Sequence, residues 1–317
     1  MQNIWQELPK PIFALAPMED VTDTVFRQII QKHAPADLYF TEFTSVDALL
    51  SLKGRESAMQ RLRFEQIERP LIAQIWGTDP KLFAQAAKLI FELGFDGIDI
   101  NMGCPVKDIV KTGACSALIN TPKLAGELIQ TLKNSTDLPV SVKTRLGVSK
   151  LQTEEWIGFL LDQKLDGLTI HGRTASEMSK PPVHWEEVVK IVGLRDKIAP
   201  DTILLGNGDI PARKEGLEII SKYKLDGVMI GRGVFHNLFA FAKEKDFTTL
   251  SLQEKLAIMQ EQIDLFESTW GTNKNYNILK KFFKIYVSGF DGASELRMQF
   301  METKNPDEAR KILAEYL

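Results

Sequence analysis

The segment Leu93-Gly94-Phe95-Asp96-Gly97-Ile98 ends a helical pattern with a turn and then begins a short, β-rich apolar run. The same arrangement recurs at Leu165-Asp166-Gly167-Leu168 and at Leu225-Asp226-Gly227-Val228. Repetition of this kind is typical of folds that are built from βα units. Amphipathic stretches such as 80–93 and 122–132 separate the apolar runs. Eight runs predict β-strands, at residues 12–18, 38–43, 71–77, 97–104, 140–147, 167–173, 203–210 and 227–233.

Strand and helix patterns alternate along most of the chain. Eight evenly spaced βα units in about 240 residues match a (β/α)8 barrel in number and length. A doubly wound parallel sheet is the competing fold, but it does not require eight even units. Beyond Phe241 the pattern changes, because only helices are predicted there, at 252–270, 276–287, 294–301 and 306–317. We therefore predict an α/β chain with a TIM barrel at residues 1–245 and a small all-helical domain at residues 246–317.

The composition excludes several classes of protein. The 317 residues include 39 Lys and Arg against 42 Asp and Glu, so the formal charge is −3 and any contact with nucleic acid must be local. No apolar run approaches the length of a membrane span, and the chain does not start with a signal-like pattern. Two cysteines and four histidines are too few for a disulfide framework or a four-ligand zinc site. We expect a cytoplasmic monomer with no membrane association and no metal.

Polar side chains concentrate at the predicted ends of the strands. In TIM barrels the catalytic residues lie at the carboxyl ends of the strands, which meet at one rim. This rule selects Pro17, Met18, Glu19, Gln74, Asn101, Cys104, Lys143, Arg145, His171 and Arg173.

Two glycine turns follow the last two predicted strands, Gly206-Asn207-Gly208-Asp209 and Gly231-Arg232-Gly233. Glycines there allow backbone N–H groups to close around an anion, and Arg232 adds positive charge. These are the strand ends at which TIM barrels bind phosphate groups. We interpret the turns as a site for a phosphate-bearing ligand; the alternative is that the glycines only make tight turns.

Lys143 and His171 each allow more than one interpretation. A lysine in a buried strand needs a partner, because an unpaired buried ammonium is strongly disfavoured. Lys143 can form a Schiff base, neutralise a carboxylate or stabilise negative charge on a reduced flavin. His171 is either a hydrogen-bonded core histidine or a ligand contact, and its place beside Arg173 favours the ligand contact.

The two cysteines differ in their surroundings. Cys104 lies between Gly103 and Pro105 at the end of the fourth predicted strand. It is either a small buried hydrophobe or, as its position favours, a nucleophile or proton donor. Cys115 is interpreted as structural.

Further motifs accompany these residues in a fixed order, and together they resemble the tRNA-dihydrouridine synthase family of flavoenzymes. The resemblance runs over nearly the whole chain and includes a barrel followed by a helical RNA-binding domain. The motifs that carry it are Ala16-Pro17-Met18, Val21-Thr22-Asp23, Phe26-Arg27, Thr41-Glu42-Phe43, Gln74, Asp99-Ile100-Asn101-Met102-Gly103-Cys104-Pro105, Val142-Lys143, Arg145-Leu146-Gly147, Ile170-His171-Gly172-Arg173-Thr174, Gly206-Asn207-Gly208-Asp209-Ile210 and Met229-Ile230-Gly231-Arg232-Gly233.

The resemblance implies FMN as prosthetic group and NADPH (or NADH) as reductant. The implied reaction reduces the C5–C6 double bond of specific uridines in tRNA to 5,6-dihydrouridine. Cys104 is then the general acid that protonates C5, and Asn101 and Arg173 contact the uracil. The cofactor-binding roles fall to Pro17, Met18, Glu19, Gln74, Lys143, His171, Asn207, Gly208, Asp209, Gly231 and Arg232.

A lysine-rich stretch in the C-terminal part has two interpretations. Charge patterning alone leaves a solvated helix face over an apolar seam and a binding surface equally open, whereas the resemblance implies a tRNA contact that grips the RNA while the target base is extruded. The loop 174–184 departs from the family pattern, and Lys180 there is a candidate phosphate contact. The lysines of the stretch are Lys274, Lys280, Lys281 and Lys284.

Two other functions compete with tRNA reduction. One is an FMN barrel that acts on a small molecule and resembles dihydroorotate dehydrogenases. The other is a non-catalytic RNA-binding protein on a barrel scaffold. The presence of Cys104, Lys143, His171 and both glycine turns argues against the second.

Overall fold

A computed structural model describes residues 3–317, and in that part of the chain a single parallel sheet closes into a barrel. The strands follow the order β1-β9-β8-β7-β6-β5-β4-β2, and a parallel bridge between Ala14 and Leu38 joins the first strand to the last. The TIM barrel predicted from the sequence is confirmed. The strand bounds are β1 (Ile12–Leu15), β2 (Tyr39–Phe40), β3 (Thr44–Ser45), β4 (Leu71–Trp76), β5 (Gly97–Met102), β6 (Val140–Arg145), β7 (Gly167–His171), β8 (Ile203–Asn207) and β9 (Gly227–Ile230).

The second barrel position is filled by two short strands rather than one. In β2, Phe40 pairs with Ile72, and in β3, Thr44 pairs with Ile75, so three residues separate Phe40 from Thr44 while only two separate Ile72 from Ile75. This extra residue makes a bulge, and bulges re-aim side chains near active sites. Glu42 lies in the bulge and is buried at the barrel rim.

The other predicted strands run past the observed ends by one to three residues. The chain leaves the sheet there to form the rim turns. For example, β8 ends at Asn207, and Gly208 and Asp209 already have positive φ angles of 129° and 46°.

Helices lie around the barrel between the strands. The helix α5 shows how the sequence sets its bounds: Asp79 caps its first turn, Pro80 occupies the first position, and Gly94 ends it with a φ of 80°. The helices of the barrel are α1 (Ile4–Glu7), α2 (Thr24–His33), α3 (Val46–Leu50), α4 (Arg55–Leu62), α5 (Pro80–Leu93), α6 (Lys107–Val110), α7 (Pro122–Ser135), α8 (Gly158–Asp162), α9 (Trp185–Ile198) and α10 (Arg213–Tyr223).

Four helices follow the barrel, as the sequence predicts. The segment 276–287 was predicted as one helix, but it is a 3-10 helix, Tyr276–Phe282, followed by a single α-helical turn. Its aromatic side chains pack on the barrel, where Phe282 stacks on Phe26 with ring centroids 4.9 Å apart. The C-terminal helices are α11 (Leu252–Trp270), α12 (Phe283–Tyr286), α13 (Ala293–Glu302) and α14 (Pro306–Leu313).

The barrel interior is apolar at the end opposite the rim. Trp5 of α1 covers that end, and a Cβ at Gly167 would lie only 2.5 Å from its ring, so glycine is required for this close approach. A second, larger core lies between the sheet and the helices and continues into α11 to α14. The boundary at residue 245/246 stays a prediction. None of the helices within residues 3–317 is long and apolar enough to cross a membrane.

Candidate functional site

A cavity of about 510 Å³ opens at the carboxyl ends of the strands. Nine of the eleven residues predicted to bind a cofactor line it, together with Ser179, Pro211 and His236. Within residues 3–317 no group of three or more His, Cys, Asp or Glu side chains is arranged to hold a metal ion. The nine predicted residues at the wall are Pro17, Met18, Lys143, His171, Asn207, Gly208, Asp209, Gly231 and Arg232.

The turn after β8 requires glycine at its centre. Gly208 has a φ of 129°, and a Cβ there would lie 2.8 Å from Val183 and 3.2 Å from the ring of His171. Asp209 follows with a φ of 46°. The side chains of Val183 and His171 occupy the space beside Gly208, so glycine is needed both for the φ angle and for their close approach to the turn.

The Asp209 carboxylate lies between two arginines. It pairs with Arg173 through one oxygen, and its Oδ1 accepts a hydrogen bond of 2.8 Å from Arg232 Nη2. The hydrogen bond from Arg173 lowers the pKa of Asp209. Asp209 therefore holds two cations at the cavity wall, a role that the sequence did not predict for it.

Arg173 is buried, and its guanidinium contacts three other residues. Besides Asp209, its Nε donates to Pro181 O at 2.6 Å, and its Nη1 lies 3.3 Å from His171 Nε2. Arg173, which the resemblance assigns to the uracil, therefore contacts His171 and Asp209, which it assigns to the cofactor.

Lys143 and His171 both line the cavity, but they differ in charge. Lys143 Nζ contacts the amide oxygen of Asn207 at 3.2 Å, and burial lowers the pKa of Lys143 to about 8. Burial and the charges of Arg145, Lys143 and Arg173 strongly lower the pKa of His171, so its imidazole is neutral. The cavity wall combines a cation with a neutral ring that can donate or accept one hydrogen bond.

Asn101 and Cys104 form a tight turn at the end of β5. Asn101 Oδ1 accepts hydrogen bonds from the backbone N–H groups of Gly103 at 3.0 Å and of Cys104 at 2.9 Å. Asn101 is thereby engaged with the backbone on its oxygen side. Cys104 is partly exposed.

The thiol of Cys104 has an unusual neighbour. It contacts the thiol of Cys115, whose hydrogen bond lowers the pKa of Cys104 to about 7, and the Val106 N–H acts in the same direction. Cys115 itself is fully buried, and its pKa is raised by the same contact. The two cysteines of the chain therefore form one pair, which the sequence analysis treated as separate.

Two predicted cofactor residues do not line the cavity. Glu19 is half-exposed and pairs with Arg61, with 2.5 Å between Oε1 and Nη2. Gln74 is fully buried and hydrogen-bonds to Asp99 and Asn101.

The family model for dihydrouridine synthase (Dus) matches residues 14–317. The chain belongs to the dihydrouridine synthase family.

Two relatives of this dihydrouridine synthase family member are similar over almost their whole length. A probable tRNA-dihydrouridine synthase of Staphylococcus aureus (strain COL) is 47% identical, over 99% of this chain and 96% of that protein. A probable tRNA-dihydrouridine synthase 2 of Bacillus subtilis (strain 168) is also 47% identical, over 99% of this chain and 97% of that protein. Among solved structures, morphinone reductase has the same fold, with a TM-score of 0.53 and 11% identity over 74% of this chain and 86% of the reductase.

The sequence places Arg145 at the end of the fifth predicted strand but gives it no role. Arg145 is buried and donates to the carbonyl oxygens of Gly103 and Thr174 at 2.7 and 3.0 Å, so it ties the Cys104 loop to the next rim loop. Asp99 hydrogen-bonds to Gln74 inside the barrel. Their signal was present in the sequence, because ionisable residues inside apolar strands are rare without a purpose.

The lysine-rich stretch divides into buried and exposed members. Lys274 lies 2.8 Å from Asp23 and 3.8 Å from Glu42, and its side chain is 13% exposed, so it is not part of a solvated face. Lys281 donates to Asp20 O at 2.8 Å at the barrel rim, and Lys280 donates to Met301 O at 2.7 Å.

Proposed function

We propose that this chain is a flavin-dependent tRNA-dihydrouridine synthase, which reduces the C5–C6 double bond of specific uridines in tRNA. The observation that carries the proposal is the cavity that Lys143 and both glycine turns line, with Cys104 directly after β5, the strand that pairs with the strand of Lys143. Membership of the family supports the reaction, and the two relatives support tRNA as the substrate.

The residues at the cavity fit FMN. The turns that contain Gly208 and Gly231 line the cavity, and Arg232 supplies a cation for a phosphate. Lys143 Nζ donates to the neutral amide oxygen of Asn207 at 3.2 Å, so its positive charge is available to an electron-rich ring edge. When bound, reduced FMN supplies a hydride to an electron-poor double bond. We further propose NADPH, or NADH, as the source of the reducing electrons.

Cys104 supplies the proton. Its thiol donates a proton to C5 of the uracil, and the thiolate that remains is stabilised by Cys115, by the Val106 N–H and by the charges of Arg145 and Lys143. A pKa of about 7 is suited to this role, because a general acid works best when its pKa lies near the working pH.

The position of the cavity determines how the substrate must enter. The cavity lies at the barrel rim among loops, so a uridine that is stacked inside folded RNA has to leave the stack to reach it. Lys281, beside the rim residue Asp20, is a candidate for a phosphate contact during this step. A cytoplasmic location and a monomeric state belong to the proposal.

The test is anaerobic and uses the whole protein. The flavin of the purified protein is reduced with NADPH, tRNA that lacks dihydrouridine is added, and the flavin absorbance is followed. We expect rapid reoxidation by this tRNA and none by fully modified tRNA. A flavin that stays reduced with tRNA but is reoxidised by small enones or pyrimidines would instead support a small-molecule reductase.

Cys104→Ala tests the acid separately. This variant should bind FMN and be reduced by NADPH at the rate of the parent, yet lose most of its turnover on tRNA. Full turnover in Cys104→Ala would remove the acid assignment while leaving the cofactor and substrate intact.

A further inference from the structure

A continuous line of hydrogen bonds runs inside the barrel toward the Cys104 loop. It begins at Ser141, whose hydroxyl donates to Asp99 Oδ1 at 2.6 Å. Asp99 Oδ2 accepts from Gln74 Nε2 at 2.7 Å. Gln74 Oε1 in turn accepts from Asn101 Nδ2 at 3.0 Å.

The line ends at the site. Asn101 Oδ1 accepts from the backbone N–H groups of Gly103 and Cys104. Asp99, Gln74 and Asn101 are each less than a tenth exposed, so no solvent competes for these bonds. Neighbouring strands bring the members together, since Gln74 pairs with Asp99 across β4 and β5, and Asp99 pairs with Ser141 across β5 and β6.

We propose that Asp99 is a positioning residue, whose carboxylate sets the direction of the Gln74 and Asn101 amides and thereby holds the Cys104 turn. An ionised carboxylate only accepts hydrogen bonds, so it obliges Gln74 to present its NH2 group to Asp99 and its oxygen to Asn101. Asn101 must then present its NH2 group to Gln74 and its oxygen to the turn. If either amide reversed, two donors would face each other at the next link.

The charge state of Asp99 agrees with this role. Burial raises the pKa of Asp99 to about 6, and the hydrogen bonds from Ser141 and Gln74 and the charge of Lys143 oppose that rise. The carboxyl group is therefore mainly ionised at pH 7.5. The inference rests on the proposed function, because it makes Asp99 a support of the proposed acid.

The first test compares two buried partners. Asp99→Leu removes the acceptor for Gln74, whereas Ser141→Ala removes only the other hydrogen bond of Asp99 and serves as the matched control. Both variants are made as the full chain with flavin bound. The readout is the rate at which iodoacetamide alkylates Cys104 at pH 7, which requires neither tRNA nor turnover, and Cys115 does not interfere because it is fully buried.

We expect alkylation of Cys104 to slow at least fivefold in Asp99→Leu and to stay within twofold of the parent in Ser141→Ala. Asp99→Asn keeps an acceptor for Gln74, because its NH2 group can face the hydroxyl of Ser141, and should retain the parental rate. Equal alkylation in Asp99→Leu and Ser141→Ala would overturn the proposal.

A second pair of variants decides the matter if Asp99→Leu does not fold. Gln74→Glu places a second carboxylate against Asp99, and adding Asp99→Asn exchanges the positions of the carboxylate and the amide. The orientation of Asn101 is preserved in the double variant, so Asp99→Asn should restore Cys104 alkylation in the Gln74→Glu background. No restoration would overturn the proposal.

The two proposals can fail separately. If Cys104→Ala turns over tRNA at the full rate, the acid assignment fails, but the alkylation results still report on Asp99. If Cys104 is the acid and Asp99 does not affect its reactivity, only the positioning role fails.

Discussion

Lys274 and Asp23 form an ion pair of 2.8 Å between positions that are 251 residues apart in the sequence. Asp23 is also the N-cap of α2, where its Oδ1 accepts from the Phe26 N–H at 3.0 Å. The indole N–H of Trp270 donates to the same carboxylate at 3.2 Å. The C-terminal helices are therefore attached to the barrel next to the rim by a largely buried cation.

Lys274→Met should destabilise the protein. The substitution leaves Asp23 and Glu42 without their nearest cation, and loss of one partner from a buried pair is costly, so we expect a fall of about 2–3 kcal/mol in the free energy of unfolding. Urea denaturation measures this change. Lys284→Met, at an exposed lysine on α12, is the control and should change stability little. Equal stabilities of the two variants would contradict the role of the ion pair.

Glu42 should make stability depend on pH. Burial raises its pKa to about 7 from an ordinary 4.5, although Lys274 opposes the rise. The raised pKa favours the protonated form in the folded state, so the contribution of Glu42 is full below about pH 4.5 and is lost as the pH rises through about 7.

Glu42→Gln should remove that part of the pH dependence, which amounts to about 3 kcal/mol. The urea midpoints of the parent and the variant, measured from pH 5 to pH 8, should diverge in favour of Glu42→Gln as the pH rises. Glu19→Gln, at a half-exposed carboxylate of the same rim, provides the comparison. Parallel pH profiles for the parent and Glu42→Gln would rule out a raised pKa at Glu42.

Cys115 should control the acidity of Cys104. Cys115→Gly removes the thiol at a position whose φ of 54° suits glycine, whereas Cys115→Ser keeps a hydrogen-bond donor. The pKa of Cys104 should rise in Cys115→Gly, because its largest stabilising contact is lost, and should change less in Cys115→Ser.

The rate of Cys104 alkylation as a function of pH reports this pKa directly. The proposed role of Cys104 as general acid requires its protonated form, so under that proposal turnover on tRNA should fall as the pH rises through about 7 in the parent and at a higher pH in Cys115→Gly. If the two alkylation curves coincide, Cys115 has the purely structural role that the sequence suggested.

Arg232 should select for the phosphate of the cofactor. Its guanidinium lies at the cavity wall beside Asp209, and its side chain is 61% exposed. Arg232→Ala should weaken FMN binding about tenfold, as expected for the loss of a charged hydrogen bond. Riboflavin, which lacks the phosphate, is the control ligand, and its affinity should be the same in parent and variant. An equal loss of affinity for both ligands would place Arg232 elsewhere than at the phosphate.

The fold was predictable because local sequence patterns specify each of its βα units. Each βα unit carries its own alternation of apolar runs and helix caps, as in the segment from Asp79 to Gly97, and eight such units allow few architectures. The strand-end rule selected the rim, and the family resemblance assigned eleven residues to a cofactor; nine of these eleven lie around one cavity. The bulge at Glu42 was not predictable, since one extra residue between two short strands leaves no periodic signal.

What the sequence alone determined is therefore the barrel, its rim and the residue types available there. Only the tertiary structure decided which of these side chains touch one another. The contact between Cys104 and Cys115, the position of Asp209 between Arg173 and Arg232, and the line from Asp99 to the Cys104 turn all join different strands or loops. Burial and charge shift the pKa of such groups only once they are packed together, and this packing depends on the closure of the whole barrel.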